Sequence, residues 1–101
     1  MIPGLSPQSE KLIVAAIAKQ PNVERAILFG SRATGKYRPG SDVDIALVGS
    51  KLVENDRVVL SRYFDDSSLP YKIDLMLLDG SVSEAFREHI DRFGVEIVLE
   101  S

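Results

Sequence analysis

Apolar and polar positions along this 101-residue chain change period several times, and each change marks an element. Ser6-Pro7 reads as an N-cap followed by proline at the first helical position, where its missing N–H costs nothing. Leu12, Ile13, Ala16 and Ile17 then recur at helical spacing, and Gln20-Pro21-Asn22 ends the helix. Val23 to Phe29 is a β-type run that stops abruptly at Gly30, and Val43 to Val48 is a second, closed by Gly49-Ser50. Asn55 is placed to cap a helix whose buried side is Val59, Leu60, Tyr63 and Phe64. Leu69-Pro70 breaks that helix, and Tyr71 to Leu78 gives a third strand. Beyond the Asp79-Gly80 turn, Ser81 and Glu84 form a capping box ahead of a stripe of Val82, Phe86, Ile90 and Phe93. Gly94 takes the place of a helix C-terminal glycine. Val95, Ile97 and Leu99 then alternate with Glu96 and Glu100 as a last short strand or extended tail.

The order α-β-(turn and short helix)-β-α-β-α-β predicts an α/β (α+β) domain of two layers, with helices covering one face of a mixed three- or four-stranded sheet. No repeat, low-complexity tract or linker divides residues 1–101, which read as a single domain near the lower size limit for folding without staples. There is no cysteine, which excludes disulfides and thiolate metal sites. No basic, apolar and small-residue regions follow one another as in a signal peptide, and the apolar runs fall far short of the roughly 20 residues that span a bilayer. A cytoplasmic protein with no membrane partner is expected. The 15 acidic and 12 basic residues leave a net charge of -3, and the cations are scattered apart from Arg32, Lys36 and Arg38. That short set suits one triphosphate or one partner, and no direct duplex nucleic-acid binding is expected.

Charge alters the reading of the second and third strands. Strand side chains alternate, so Asp42 and Asp44 project to one side and Val43, Ile45 and Leu47 to the other. Aspartate is disfavoured in strands, and two on one face repel each other. A divalent cation between them removes that repulsion in a hard oxygen site of the kind magnesium prefers. Asp74 repeats the pattern, opposite to Ile73, Leu75 and Leu77. If the two strands are neighbours, Asp74 completes a three-carboxylate cluster able to hold two metal ions roughly 4 Å apart, as phosphoryl transfer uses. Asp42 as a turn cap and Asp44 as a solvated charge would explain either residue alone, but not all three together.

Gly30-Ser31 follows an apolar strand and precedes Arg32-Ala33-Thr34, which can start a helical turn. Glycine lets the backbone pass close to a ligand, and the N–H groups and Ser31 hydroxyl are suited to phosphate oxygens. Alone, Gly-Ser is an ordinary turn; its weight comes from Asp42-Val43-Asp44 after a spacer of ten residues. Residues 30–37 also nearly match the phosphate loop G-x-x-x-x-G-K-[ST], but Tyr37 stands where a small hydroxyl should ligate magnesium. The chain also lacks room for the parallel sheet of such enzymes.

The string from Phe29-Gly30-Ser31-Arg32 through Gly40-Ser41-Asp42-Val43-Asp44, with Asp74 in Leu69-Pro70-Tyr71-Lys72-Ile73-Asp74-Leu75, resembles the DNA polymerase β-like nucleotidyltransferases, most closely their minimal nucleotidyltransferase (MNT) branch. The resemblance covers nearly the whole chain. It implies a metal-dependent nucleotidyltransferase with Mg2+, two ions per site, and ATP as the foremost substrate. Asp42, Asp44 and Asp74 would be the catalytic metal ligands, with Asp74 also placed to help deprotonate the acceptor hydroxyl. Gly30 and Ser31 would hold the triphosphate tail, and Arg32 and Lys36, read as exposed loop cations, would neutralise its β- and γ-phosphates or serve as solubilising charge. MNT proteins commonly accompany a helical HEPN toxin as its antitoxin, some by adenylylating a toxin tyrosine, so a HEPN-type partner is implied.

The remaining candidates carry less. His89, the single histidine, falls beside the Val82-Phe86-Ile90 stripe and reads as exposed, while Tyr63 reads as core and Tyr37 as near the site mouth. Three functions stay open: nucleotidyl transfer to a protein, a non-catalytic antitoxin that occludes its partner, and transfer to RNA or a small molecule. The acidic balance and the lack of room for a second domain weigh against the third.

Overall fold

A computed structural model of the chain describes residues 2–99. Helix α1 (Pro7–Ala18) begins at Ser6, whose hydroxyl accepts the Ser9 N–H at 3.2 Å with Pro7 in the first turn. Strand β1 (Arg25–Phe29) leads into the four-residue α2 (Ser31–Thr34), and β2 (Val43–Val48) follows. Helix α3 (Glu54–Asp65), β3 (Ile73–Leu77), α4 (Glu84–Phe93) and β4 (Val95–Ile97) complete the order. The four strands form one mixed sheet in the order β3-β2-β1-β4. β1 is antiparallel to β2 and β4, while β2 and β3 run parallel, as their connection through α3 requires. The last three-residue strand is thus the tail alternation of Val95 and Ile97; Glu100 lies outside the described residues.

Alternation sorts the strand residues onto two faces. Ala26, Leu28, Val43, Ile45, Leu47, Ile73, Leu75 and Ile97 bury against Ile13 and Ile17 of α1 and Leu60 and Phe64 of α3. On the other face Ile27 and Ala46 meet Ile90 and Phe86 of α4, with Phe29, Val48 and Met76 around them. The mixed sheet and its helical cover match expectation, but the cover is not one-sided: α4 has a small cluster of its own on the second face. The same alternation puts Asp44 and Asp74 on that second face, in line with Ala46 and Met76.

Helix starts and one helix face differ from the sequence reading. The N-cap of α3 is Val53 rather than Asn55, because the Asp56 carboxylate reaches back to accept the Val53 N–H at 3.0 Å and also takes the Asn22 amide at 3.1 Å. The cap of α4 is Ser83, which accepts the Phe86 N–H at 3.1 Å. Ser81 instead donates to Asp79 and belongs to the turn. Gly94 closes α4 with extended backbone, not a left-handed one; there a side chain would strike the Ile90 carbonyl and the Ile27 side chain. Val59 and Tyr63, expected in the core, are 52% and 53% exposed. Leu60 and Phe64 are the buried residues of α3, and Val59 and Tyr63 line a surface cavity of about 210 Å³ with Ala16, Lys19 and Gln20.

The packing sets a direct test. Leu28→Ala, at a fully buried position of the main cluster, should cost about 2–5 kcal/mol. Val59→Ala should stay within about 0.5 kcal/mol. Urea midpoints compare the two; a Val59 loss as large as that of Leu28 would return α3's outer face to the core.

Candidate active site

Strand β1 ends at Gly30, whose φ of 75° is a left-handed conformation that side chains disfavour. Its carbonyl accepts the N–H groups of Ala33 and Thr34 at 3.1 and 3.2 Å, starting α2. Space demands glycine as well. Phe29 pairs with Asp44 across β1 and β2, and a Cβ on Gly30 would run into the Asp44 carboxylate. The turn and the aspartate are therefore one construction: the bare backbone at Gly30 is what gives the Asp44 side chain its place.

The next strand adds the second acid. Asp44 pairs with Asp74 in the β2–β3 register, on parallel strands roughly 4.8 Å apart, so both side chains leave the same face side by side. Asp42 lies just before β2 and is exposed. Burial, then the charge of Asp74, then that of Asp42, push the Asp44 carboxyl above the ordinary carboxylate range. Asp42 and Asp74 thus both act on Asp44 through the field at that position. Arg57 of α3, not singled out by the sequence reading, is held charged first by its hydrogen bond to Glu54 and also feels Asp74. Packing of α3 beside β3 brings it within the field of Asp74, for which no sequence spacing gives a signal.

Among the described residues, no three His, Asp or Glu side chains converge closely enough to enclose a metal ion by themselves. Donor chemistry still fits magnesium, which is commonly bound by one or two carboxylates with water and substrate phosphates completing its octahedron. Asp44 beside Asp74, unneutralised and mutually repelling, offers that kind of open, oxygen-only half-site.

The two expected cations stand differently in the structure. Arg32 is not an exposed loop cation: it is 1% exposed, and its guanidinium is taken up by backbone carbonyls and two tyrosine rings. Its position inside the first turn of α2, just beyond the strand, turns it inward. Lys36 is exposed but lines a cavity of about 400 Å³ between α2 and α4, with Ala33, Thr34, His89 and Phe93, to which no aspartate contributes. His89 is exposed as expected, against the rings of Phe86 and Phe93. The loop before Asp42 is a tight turn at Pro39-Gly40, with Gly40 at φ 85° and the Ser41 N–H on the Arg38 carbonyl at 3.0 Å.

This geometry has counterparts. Residues 11–101 match the family model described as Polymerase beta, Nucleotidyltransferase. A Haemophilus influenzae protein named "Probable protein adenylyltransferase MntA" is 38% identical over 96 residues, which is 89% of this chain and 81% of that protein. A Methanocaldococcus jannaschii relative, also bearing a protein adenylyltransferase name, is 32% identical over 82 residues, 74% of this chain and 79% of its own. Among solved structures, a toxin–antitoxin crystallised with AMP-PNP superimposes with a TM-score of 0.70 at 27% identity, covering 86% of this chain and 70% of that one.

The raised Asp44 carboxyl has a sign that can be checked. Below the ordinary value of 3.8 the group is protonated folded or unfolded and costs nothing. As pH rises, the unfolded chain ionises first, so the fold loses stability until Asp44 ionises within it too. Asp44→Asn should therefore unfold at higher temperature than wild type at pH 7, with the gap closing as pH falls toward 3.8. Millimolar Mg2+ with ATP should raise the wild-type melting temperature and leave that of Asp44→Asn unmoved. A variant no more stable than wild type at pH 7 would contradict the like-charge reading of this cluster.

Proposed function

We propose that this chain, which belongs to the polymerase beta nucleotidyltransferase family, transfers AMP from ATP to a hydroxyl of a protein partner, a helical HEPN-type toxin that it silences. The nucleotidyltransferase class follows from the family. The protein acceptor is supported by the adenylyltransferase names of the two relatives, and the antitoxin role by the toxin–antitoxin complex whose fold this chain shares. A cytoplasmic setting, where ATP and the partner meet, goes with this reading.

One observation carries it: Asp44 and Asp74 side by side across β2 and β3, with Asp42 adjoining and the Gly30-Ser31 turn fitted against Asp44. Asp42, Asp44 and Asp74 would hold one or two Mg2+ ions, which neutralise the triphosphate and favour ionisation of the acceptor hydroxyl. Ser31 would donate its hydroxyl to the β- or γ-phosphate, in the turn that Gly30 fits against Asp44. Asp74, exposed where its neighbour Asp44 is half-buried, would take the hydroxyl proton. The acceptor oxygen then bonds to the α-phosphorus in line with the departing oxygen, the bond to the β-phosphate bridge breaks, and pyrophosphate leaves. Positioning and charge neutralisation supply most of the acceleration.

The test is transfer of label from α-labelled ATP to the purified partner. Asp44→Asn should reduce it by at least about a hundredfold, and Ser31→Ala by about ten- to a hundredfold in kcat/KM for ATP, the loss of one hydrogen bond to a charged group. A double Asp42→Asn, Asp44→Asn variant that still labels the partner would overturn the mechanism. Full neutralisation of the toxin without nucleotide or Mg2+ would make the chain an occluding antitoxin instead.

A further inference from the structure

The buried Arg32 has no part in the chemistry above, yet few side chains in the protein are as thoroughly engaged. Its Nε and Nη2 both donate to the Ser41 carbonyl, at 3.2 and 2.9 Å, and Nη1 donates to the Pro3 carbonyl at 2.8 Å. The rings of Tyr37 and Tyr71 stand 5.0 and 5.1 Å from its central carbon. At Gly4, with φ 82°, a side chain would collide with the Tyr37 ring and the guanidinium, so the N-terminal segment also closes over it. Among the described residues Arg32 makes no ion pair. A permanent charge is thus held out of water by carbonyl dipoles and aromatic faces alone.

Filling that volume does not require a charge; an apolar side chain would do so at lower desolvation cost. What only a guanidinium can do there is grip one carbonyl with two N–H groups in a plane. The carbonyl it grips is that of Ser41, in the peptide bond leading into Asp42. Ser41 is held from its other side too, by its N–H on the Arg38 carbonyl at 3.0 Å and by its hydroxyl accepting the Arg38 N–H at 2.8 Å. Arg32 itself follows Ser31 directly, and Tyr71 lies three residues before Asp74.

We propose that Arg32 is a positioning residue that fixes the peptide plane between Ser41 and Asp42, and so holds the Asp42 carboxylate in place relative to Asp44 and the Gly30-Ser31 turn. The proposal rests on the reading of Asp42 and Asp44 as metal ligands. Arg32 touches neither nucleotide nor metal; its effect reaches them through the backbone. Release of the Ser41 carbonyl leaves the Asp42 side chain free to swing, which weakens the metal site without altering its donors.

Arg32→Met and Arg32→Lys in the whole chain test this. Methionine fills the gap between the rings and retains contact with them. Lysine keeps the charge but offers a point donor in place of the fork. Three measurements are read together: the urea midpoint, Mn2+ affinity by electron paramagnetic resonance with an ATP analogue that cannot be cleaved at the α-phosphate, and amide hydrogen exchange over residues 38–44. Expected for Arg32→Met are cooperative unfolding, about ten- to a hundredfold weaker Mn2+ binding and faster exchange confined to 38–44, with Arg32→Lys in between. A folded Arg32→Met with wild-type Mn2+ affinity overturns the positioning role alone. Should that variant not fold, Arg32→Lys decides, and wild-type affinity there overturns it equally. Failure of the wild-type chain to bind Mn2+ with the analogue overturns the site reading, and the proposal with it.

Discussion

Three neighbouring strands meet at one row: Phe29 beside Asp44, and Asp44 beside Asp74. Much else in the structure depends on that register. The antiparallel pairing of β1 and β2 brings the end of one strand, and the turn that follows it, to the start of the next. The parallel pairing of β2 and β3 then lays a second carboxylate beside the first. A slip of one residue in either pairing would turn the acids toward Ile13, Ile17, Leu60 and Phe64 and their apolar neighbours toward water. The main core therefore enforces the site: Val43, Ile45, Ile73 and Leu75 are buried on one face, so Asp44 and Asp74 have to share the other.

The cost of that arrangement falls on Asp44, whose ionised form is disfavoured by burial and by two like charges. The fold tolerates it because Gly30 removes a side chain that would have competed for the same space. On the proposed function, a metal ion bound between the carboxylates would relieve that repulsion. Stability and activity would then oppose each other at this residue, as is common where a site is built ahead of its ligand.

Much of this was legible from residue order, and the parts that were not share a cause. Alternation located β2 and β3 and put Asp44 and Asp74 opposite the main core, and Ser6-Pro7 marked the start of α1, because these are local rules. The caps at Val53 and Ser83 were misplaced to Asn55 and Ser81, since several polar residues compete near each helix start and only the packed structure decides which is used. Val59 and Tyr63 have the spacing of a buried stripe, but only Leu60 and Phe64 of α3 are buried, and Val59 and Tyr63 open onto a surface cavity beside α1. Arg32 was the larger error. Beside a glycine-serine turn a cation suggests phosphate, yet its fate was set by Pro3, Ser41 and Tyr71, far away in sequence.

Helix α4 shows why the site is open. It covers Ile27 and Ala46 through Ile90 and Phe86, but the same face carries Asp44 and Asp74 beyond its reach, and Asp74 remains exposed. On the opposite face α1 and α3 cover the main core. The sheet is thus sealed on the side that sets its register and left partly bare on the side that carries the carboxylates. That open side presents Asp44, Asp74 and the Gly30-Ser31 turn, which on the proposed function a nucleotide would meet. Transfer in a water-excluding enclosure then needs a second surface, and an acceptor that is itself a folded protein would bring one with it.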